Sequence, residues 1–333
     1  MLERCLKVLV MGYGSIGRRH IDNLSSFPDI EILVCTKRHY DSFLRKRRCK
    51  IFNSLEKSIK EKPDAAIISN VPSLHVKTAI KLANAGIHLF VEKPLSSSLL
   101  GVKPLLDVVK KRRLVTLMGC NFRFHPCIKK IKEIISAKEI GRIISVHAEN
   151  GSFLPSWHPY EQYENSYASR GDLGGGVVLT CIHEIDYLYW FFGSVKEVFS
   201  ITGKFSDLDI HAEDLSSILL RFQNNIIAEV HLDYFQNPHV RSCKIIGTKG
   251  TIYWDLDINA VKVYNTKKKK WIEKLKLKNY DYNMVYLEEL NHFLKCITRK
   301  EKSINSIDEG TKILEIALAV KKSSKIKKAV TLS

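Results

Sequence analysis

The stretch Leu6-Lys-Val-Leu-Val-Met-Gly12-Tyr13-Gly14-Ser15-Ile16-Gly17 decides how this chain is read. An apolar run ends in G-x-G-x-x-G and passes at once into a helix-type segment from Ile16 to Leu24, the pattern of a strand that turns tightly into a helix. Gly12 permits the turn, Gly14 lets phosphates approach bare backbone, and Gly17 lets the helix pack closely on the strand. The helix start offers free N–H groups to an anion. The stretch from Gly12 through Tyr13, Gly14, Ser15 and Ile16 to Gly17 is therefore predicted to cradle a dinucleotide pyrophosphate.

Composition bounds the rest. At 333 residues the chain is long for one core, and 45% apolar with 26% charged residues is the balance of a soluble globular protein, so two domains are expected. No apolar run reaches about 18 residues, and the opening Met-Leu-Glu-Arg-Cys leads straight into a strand. Neither a membrane span nor a signal peptide is expected, and the cytoplasm is the expected compartment. Eight scattered cysteines without a C-x-x-C pair fit a reducing environment and give no metal site.

The net charge of +18 raises nucleic acid as a partner, but its distribution matters more than its size. Residues 1–122 hold 22 Lys and Arg against 10 Asp and Glu, whereas the remainder holds 31 against 25. One cluster, Lys37, Arg38, Arg45, Lys46, Arg47, Arg48 and Lys50, follows the second apolar run, where a dinucleotide fold places the adenosine ribose. Another, Lys267 to Lys270 with Lys274, Lys276 and Lys278, alternates with Trp271, Ile272, Leu275 and Leu277 and reads as an exposed strand or hairpin whose lysines guard an edge. Neither cluster carries a helix-turn-helix, zinc-finger or RNA-binding aromatic signature, so nucleic acid is set aside as the main partner.

Short β-type runs at Glu31–Cys35, Ala65–Ser69, His88–Val91 and Val115–Gly119 alternate with helix-type segments, including Val76–Ala85 and Leu105–Lys111. That rhythm predicts a doubly wound parallel sheet. It weakens after Phe122, where a helix from Pro126 to Ala137 leads into an alternating strand, Arg142 to Glu149. Strands at Ser216–Phe222, Ile226–Tyr234, Ser242–Ile246, Gly250–Asp255 and Ala260–Tyr264 then follow at hairpin spacing, and helices at Tyr286–Cys296 and Glu309–Lys321 close the chain. The expected fold class is α/β: a Rossmann domain over residues 1–122 and an α/β domain with a largely antiparallel sheet over 123–333.

Three further segments, Ser69-Asn70-Val71-Pro72-Ser73-Leu74-His75, Val91-Glu92-Lys93-Pro94-Leu95 and Gly174-Gly-Gly-Val-Val-Leu-Thr-Cys-Ile-His183-Glu184-Ile-Asp186, stand in the order and spacing of one family. With the opening glycines they resemble the Gfo/Idh/MocA family of NAD(P)-dependent oxidoreductases over nearly the whole chain. The E-K-P turn, about 75 residues after the glycine loop, is more specific than the loop itself. The resemblance implies that the second domain lines the substrate site and forms homodimer or homotetramer contacts. It also implies that Lys93 is an active-site lysine, that Ser69, Asn70, Pro72, His75 and Glu92 lie along the cofactor, and that Arg123, in Asn121-Phe-Arg-Phe-His-Pro126, faces cofactor and substrate. Where many members carry an aspartate four residues before the histidine, Leu179 stands here, which leaves Asp186 or Glu184 as the candidate carboxylate.

The chemistry can be argued beside the resemblance. Moving a hydride from a hydroxyl-bearing carbon to nicotinamide requires a proton acceptor on the oxygen and a cation to stabilise developing charge. Lys93 suits the second task, and His183, of a residue type whose ordinary pKa is about 6.5, suits the first. Trp157, His158, Tyr160 and Arg170, in an aromatic and hydroxyl-rich segment, suit the apolar faces and polar edges of a sugar. Thr36-Lys37-Arg38 stands where an acidic ribose ligand would otherwise be, which favours NADP(H) over NAD(H). The leading expectation is a sugar or sugar-nucleotide dehydrogenase, of a subclass serving surface-glycan synthesis. The alternatives are a polyol or inositol-like dehydrogenase, a biliverdin-type reductase, and a nonenzymatic NADP-binding regulator.

Overall fold

The computed structural model describes residues 5–38, 40–159 and 161–332. The chain divides into two compact units, one made of residues to Asn121 together with Tyr282–Leu314, the other of Phe122–Asp281 with residues from Glu315 onward.

The first unit alternates β1 (Leu6–Met11), α1 (Ser15–Leu24), β2 (Ile30–Cys35), α2 (Ser42–Lys46), β3 (Lys50–Phe52), α3 (Leu55–Lys60), β4 (Ala65–Ile68), α4 (His75–Asn84), β5 (His88–Glu92), α5 (Val102–Arg112) and β6 (Thr116–Gly119). Its six strands are all parallel, in the order β3-β2-β1-β4-β5-β6. Strands covered on both faces read as continuous apolar runs, as Ala65-Ala66-Ile67-Ile68 does, every residue of it buried. The order reverses between β1 and β4, so their carboxyl ends flank the switch point where ligands of such sheets collect. Local chemistry fixes the helix starts: Asp41 accepts the Leu44 N–H ahead of α2, and Ser54 accepts the Lys57 N–H ahead of α3.

The second unit opens with α6 (Pro126–Ser136), β7 (Ile143–Gly151), α7 (Val177–Thr180) and α8 (His183–Phe192). It continues with β8 (Val195–Gly203), β9 (Leu215–Phe222), β10 (Ile227–Asp233), β11 (Val240–Gly247), β12 (Gly250–Asp255), β13 (Ala260–Asn265) and β14 (Lys270–Lys276). After α9 (Asn283–Arg299) and α10 (Ile307–Ile326), a short β15 (Val330–Thr331) completes a nine-stranded sheet in the order β14-β13-β12-β11-β7-β10-β9-β8-β15. Among the described residues, β7 and β10 run parallel and every other neighbouring pair is antiparallel, so the sheet is mostly antiparallel. Strand β8 is absent from the sequence reading because Phe199 and Ile201 face outward and a bulge near Val195 blurs its alternation. The outward face carries an open groove of about 580 Å³ lined by Phe199, Ile201, Leu219, His147, His231 and Lys244, among others.

The expected second domain, 123–333, needs one correction. Helix α9 and the first part of α10 belong with the parallel sheet. The α9 stripe of Leu290, Phe293 and Leu294 joins the core of Val8, Val10, Ile21, Ile67 and Phe90, with Phe293 edge-on to Phe90 at 5.7 Å. The Thr116 hydroxyl accepts the Ile307 N–H, and the Met118 N–H donates to the Asn305 carbonyl, which fixes the following segment beside β6. Among the described residues, no helix is long and apolar enough to cross a membrane.

The second unit's core closes around Trp254, ringed by Phe122, His125 and Tyr187 at centroid distances of 6.1, 6.0 and 6.4 Å. His125 caps α6, its Nδ1 accepting the Cys127 N–H at 3.2 Å, and burial, aided by the Arg241 charge, pushes its pKa down to about 4. Unfolded chains take up the proton near pH 6.5 while the folded one resists, so stability is full above that pH and falls as pH drops toward 4. The loss attributable to this one group is on the order of 3 kcal/mol. His125→Asn keeps a cap acceptor and removes the ionisation; urea unfolding at pH 7 and 4.5 should show a smaller acid loss in the variant, and an unchanged loss refutes the assignment.

Candidate active site

The glycine turn sits at the switch point. Gly12 has φ of +109°, and a side chain there would meet the Ser69 carbonyl oxygen at 2.7 Å and the Asn70 nitrogen at 2.8 Å. Only glycine suits both demands. A side chain at Gly17 would strike the Gly12 carbonyl, whereas the space beside Gly14 is open within 4 Å. Gly14 also precedes α1 without a side-chain cap, so the first turn, from Ser15 and Ile16, presents its N–H groups outward. This cradle fits a pyrophosphate, and the residues that would hold it are Gly12 to Gly17.

Around it the predicted loop residues brace one another. The Ser69 hydroxyl donates to the Met11 carbonyl at 3.1 Å, and the Asn70 amide donates to Thr78 at 3.1 Å. His75 is buried, with Nδ1 2.8 Å from the Pro94 carbonyl and Nε2 2.8 Å from the Asn70 carbonyl, so it clamps the loop after β4 to the turn after β5. Burial lowers its pKa against the pull of these two carbonyls. Pro72, itself buried, starts a single turn between them. His75 and Glu92, both expected along the cofactor, are buried, Glu92 lying 2.6 Å from His20 Nε2. Lys93 follows at the carboxyl end of β5, partly exposed.

At the far side of β2, Thr36 is half-buried and Lys37 and Arg38 are exposed. The next acid along the chain, Asp41, is already engaged. It accepts the Tyr13 hydroxyl at 2.7 and 2.9 Å and the Leu44 N–H at 3.0 Å, which hold its carboxyl below the usual range. Burial and the same bond raise the Tyr13 phenol to about 12. Tyr13 thus packs and anchors, the residue being 5% exposed.

In the second unit, the glycine triple serves a close approach. A side chain at Gly175 would collide with the Tyr167 carbonyl, and one at Gly176, with φ of +95°, with the Glu213 carboxyl. The helix it opens, α7, stops at Thr180, and His183 is the first residue of a separate helix, α8. His183 is 9% exposed and packs on Phe122 at 5.1 Å. The two acids of the H-E-I-D run are committed to arginines. Asp186 and Arg123 are both fully buried and joined at 2.9 to 3.2 Å, while Glu184 takes Arg241 at 2.8 and 3.2 Å. Of the two residues expected at the site, Asp186 is the buried counter-ion of Arg123, and Arg123 meets that carboxylate inside the second unit.

The aromatic segment folds as successive single turns. The Trp157 indole donates to Ser152 at 2.7 Å and stands edge-on to Tyr234 at 5.5 Å. His158 is half-buried, Arg170 is exposed and paired with Asp172 at 2.7 Å, and Tyr160 lies outside the described residues. Sequence reasoning missed His20, Arg241 and Asp41. Of these only His20 carried a local signal, a histidine at i, i+3 and i+7 register with the buried Gly17 and Leu24 of α1.

Removing one partner of a buried ion pair leaves the other uncompensated, at a cost of about 3–5 kcal/mol. Asp186→Asn should therefore lower the unfolding midpoint sharply, and a variant of native stability that loses only turnover would restore the catalytic assignment.

Residues 6–120 match the oxidoreductase family with an NAD-binding Rossmann fold, and residues 128–253 match the GFO/IDH/MocA C-terminal domain. Myo-inositol 2-dehydrogenase of Thermotoga maritima is 27% identical over 98% of both chains, and scyllo-inositol 2-dehydrogenase (NAD(+)) of Bacillus subtilis is 25% identical over 96% of this chain and 94% of its own. Among solved structures, levoglucosan dehydrogenase in complex with NADH superposes with a TM-score of 0.89 at 18% identity, covering 98% of this chain and 99% of its own. A putative NADPH-dependent oxidoreductase from Desulfitobacterium hafniense gives 0.86 at 19% identity, covering 99% and 98%. With a glycine cradle at the switch point of one unit, the mostly antiparallel sheet of the other, and both family matches in register with them, the chain belongs to the Gfo/Idh/MocA family of oxidoreductases.

Proposed function

We propose that this chain oxidises or reduces a hydroxyl-bearing carbon of a sugar, with Lys93 and His183 as its catalytic residues. The observation that supports this most is Lys93 itself, at the carboxyl end of β5, two strands from the glycine turn in one parallel sheet. When bound, nicotinamide accepts or supplies the hydride. In oxidation His183 takes the hydroxyl proton while the Lys93 ammonium stabilises the developing alkoxide; in reduction His183 returns the proton. Trp157, His158 and Arg170 supply an apolar face and polar edges for a sugar or sugar-nucleotide, in keeping with surface-glycan synthesis. A cyclitol is the second reading, favoured by two inositol dehydrogenases related over nearly their whole length. The outward sheet face, with Phe199, Ile201 and Leu219 exposed, is the proposed contact between copies, and the cytoplasm the proposed compartment.

A panel of sugar nucleotides, glucose 6-phosphate and myo-inositol, run with each cofactor, tests the reaction. Lys93→Met and His183→Asn should each lower turnover at least roughly a hundredfold on the best substrate, with cofactor binding nearly unchanged. Near-normal turnover in both assigns the protein to cofactor-dependent regulation instead.

NADP(H) is the proposed cofactor over NAD(H). Lys37 and Arg38 are exposed after β2, and Asp41 is held by the Tyr13 hydroxyl and the start of α2, which leaves cations to meet a 2′-phosphate. Arg38→Asp should weaken NADPH binding at least about tenfold relative to NADH in fluorescence titrations. An unchanged ratio defeats the preference.

A further inference from the structure

A histidine that no expectation used sits one contact away from Lys93. His20 lies on the buried face of α1 with Gly17, Ile21 and Leu24 and is fully buried. Its Nε2 is 2.6 Å from Glu92 Oε1, 72 residues away, and its ring stands edge-on to Phe90 at 5.0 Å. The other Glu92 oxygen accepts the Lys93 backbone N–H at 3.3 Å. Across the strand end the carboxyl group leaves no room: a side chain at Gly119 would come within 2.9 Å of it. Glu92 is thus held on one side by a helix, on the other by β6, and grips the backbone from which Lys93 projects.

We infer that His20 is a positioning residue for Lys93, acting through Glu92, and that it couples the phosphate-binding helix to the lysine turn. The Nε2–H donates to the carboxylate, which meets part of the cost of burying that charge and fixes one orientation of it. Without the donor, the carboxylate must turn toward water for a partner, and that turn releases the Lys93 N–H. Because α1 begins at the pyrophosphate cradle, any shift of its first turn is carried along a rigid helix to His20, one and a half turns on. The functional part of this inference rests on Lys93 serving in turnover; the positioning part does not.

The experiment compares His20→Gln, whose amide reaches the position of Nε2, with His20→Asn, whose shorter amide does not. Hydrogen exchange on the full chain, read at the Lys93 amide with and without NADPH, should be at least tenfold faster in His20→Asn and near native in His20→Gln. Turnover on the best panel substrate should fall at least tenfold in His20→Asn, with KM for cofactor within threefold, and recover in His20→Gln. In a Glu92→Gln background, His20→Asn should cost little more turnover, because partners acting as one unit are non-additive. Native-like Lys93 exchange in His20→Asn, or additive losses with Glu92→Gln, overturns the inference. If His20→Asn does not fold, His20→Met, which fills the same volume without a donor, carries the same expectations. Fast Lys93 exchange with normal turnover, alongside normal turnover in Lys93→Met, instead refutes the catalytic role of Lys93 and leaves the positioning contact standing.

Discussion

The backbone of Gly12 passes so close to that of Ser69 and Asn70 that no side chain fits between them, and the first unit is organised by this approach. Strands β1 and β4 are neighbours in the sheet, so their ends must emerge side by side, and the turn out of β1 must cross the loop out of β4. A left-handed conformation at Gly12 makes that crossing possible, and the absence of a side chain at Gly17 lets α1 start directly above it. The helix direction is then set. Its inward face delivers His20 to Glu92, while the Ser69 hydroxyl ties the β4 loop to the carbonyl of Met11. One steric condition at a turn therefore fixes the cradle, the loop beside it and the polar contact behind Lys93.

The second unit solves a different problem, that of starting a buried helix with charged residues. Acids in the first turn of α8 are favoured by the helix dipole, but Glu184 and Asp186 are both fully buried and require partners. Arg241 and Arg123 supply them with two-pronged contacts. Arg241 also lies over the Phe122 ring at 4.2 Å, so the same guanidinium that neutralises Glu184 packs on the ring that supports His183. Such pairs add little net stability over apolar packing, but their directional bonds specify one arrangement. The two carboxylates that follow His183 in the first turn of α8 are thereby each paired with an arginine.

Much of this was legible in the sequence because its signals are local. The glycine turn is a run of six residues, the parallel strands are unbroken apolar stretches, and the hairpin strands alternate as half-buried strands must. What stayed hidden depends on which segment meets which. An apolar stripe announces that α9 is buried, yet says nothing of which sheet receives Leu290 and Phe293. The Arg123–Asp186 and His20–Glu92 pairs join residues 63 and 72 positions apart, beyond any periodicity. A histidine next to two acids invites a catalytic reading until the arginines opposite them are seen. Strand β8 escaped for the reverse reason, since its outward Phe199 and Ile201 imitate a core strand on the wrong face.

The charge of the first unit acquires meaning only once its partners are placed. Several of its cations are occupied: Arg47 pairs with Asp22, Arg18 lies 3.7 Å from Asp41, Lys50 is 2.5 Å from Glu31, and Lys81 is 2.9 Å from Glu56. Arg18 and Arg47 also sit over the Phe43 ring, at 4.5 and 3.6 Å, so they build the wall beside Tyr13 and α2. Lys37 and Arg38, in contrast, stand exposed at the end of β2. The field of an exposed cation fades within about 8 Å at physiological salt, so a diffuse surplus speeds the approach of an anion without selecting it. Selection requires contact, and in a doubly wound sheet the end of β2 is where the adenosine ribose makes it. The basic residues of the first unit therefore divide by position rather than by number: those tied to acids or stacked on Phe43 brace the unit, and Lys37 and Arg38 stand exposed at the end of β2.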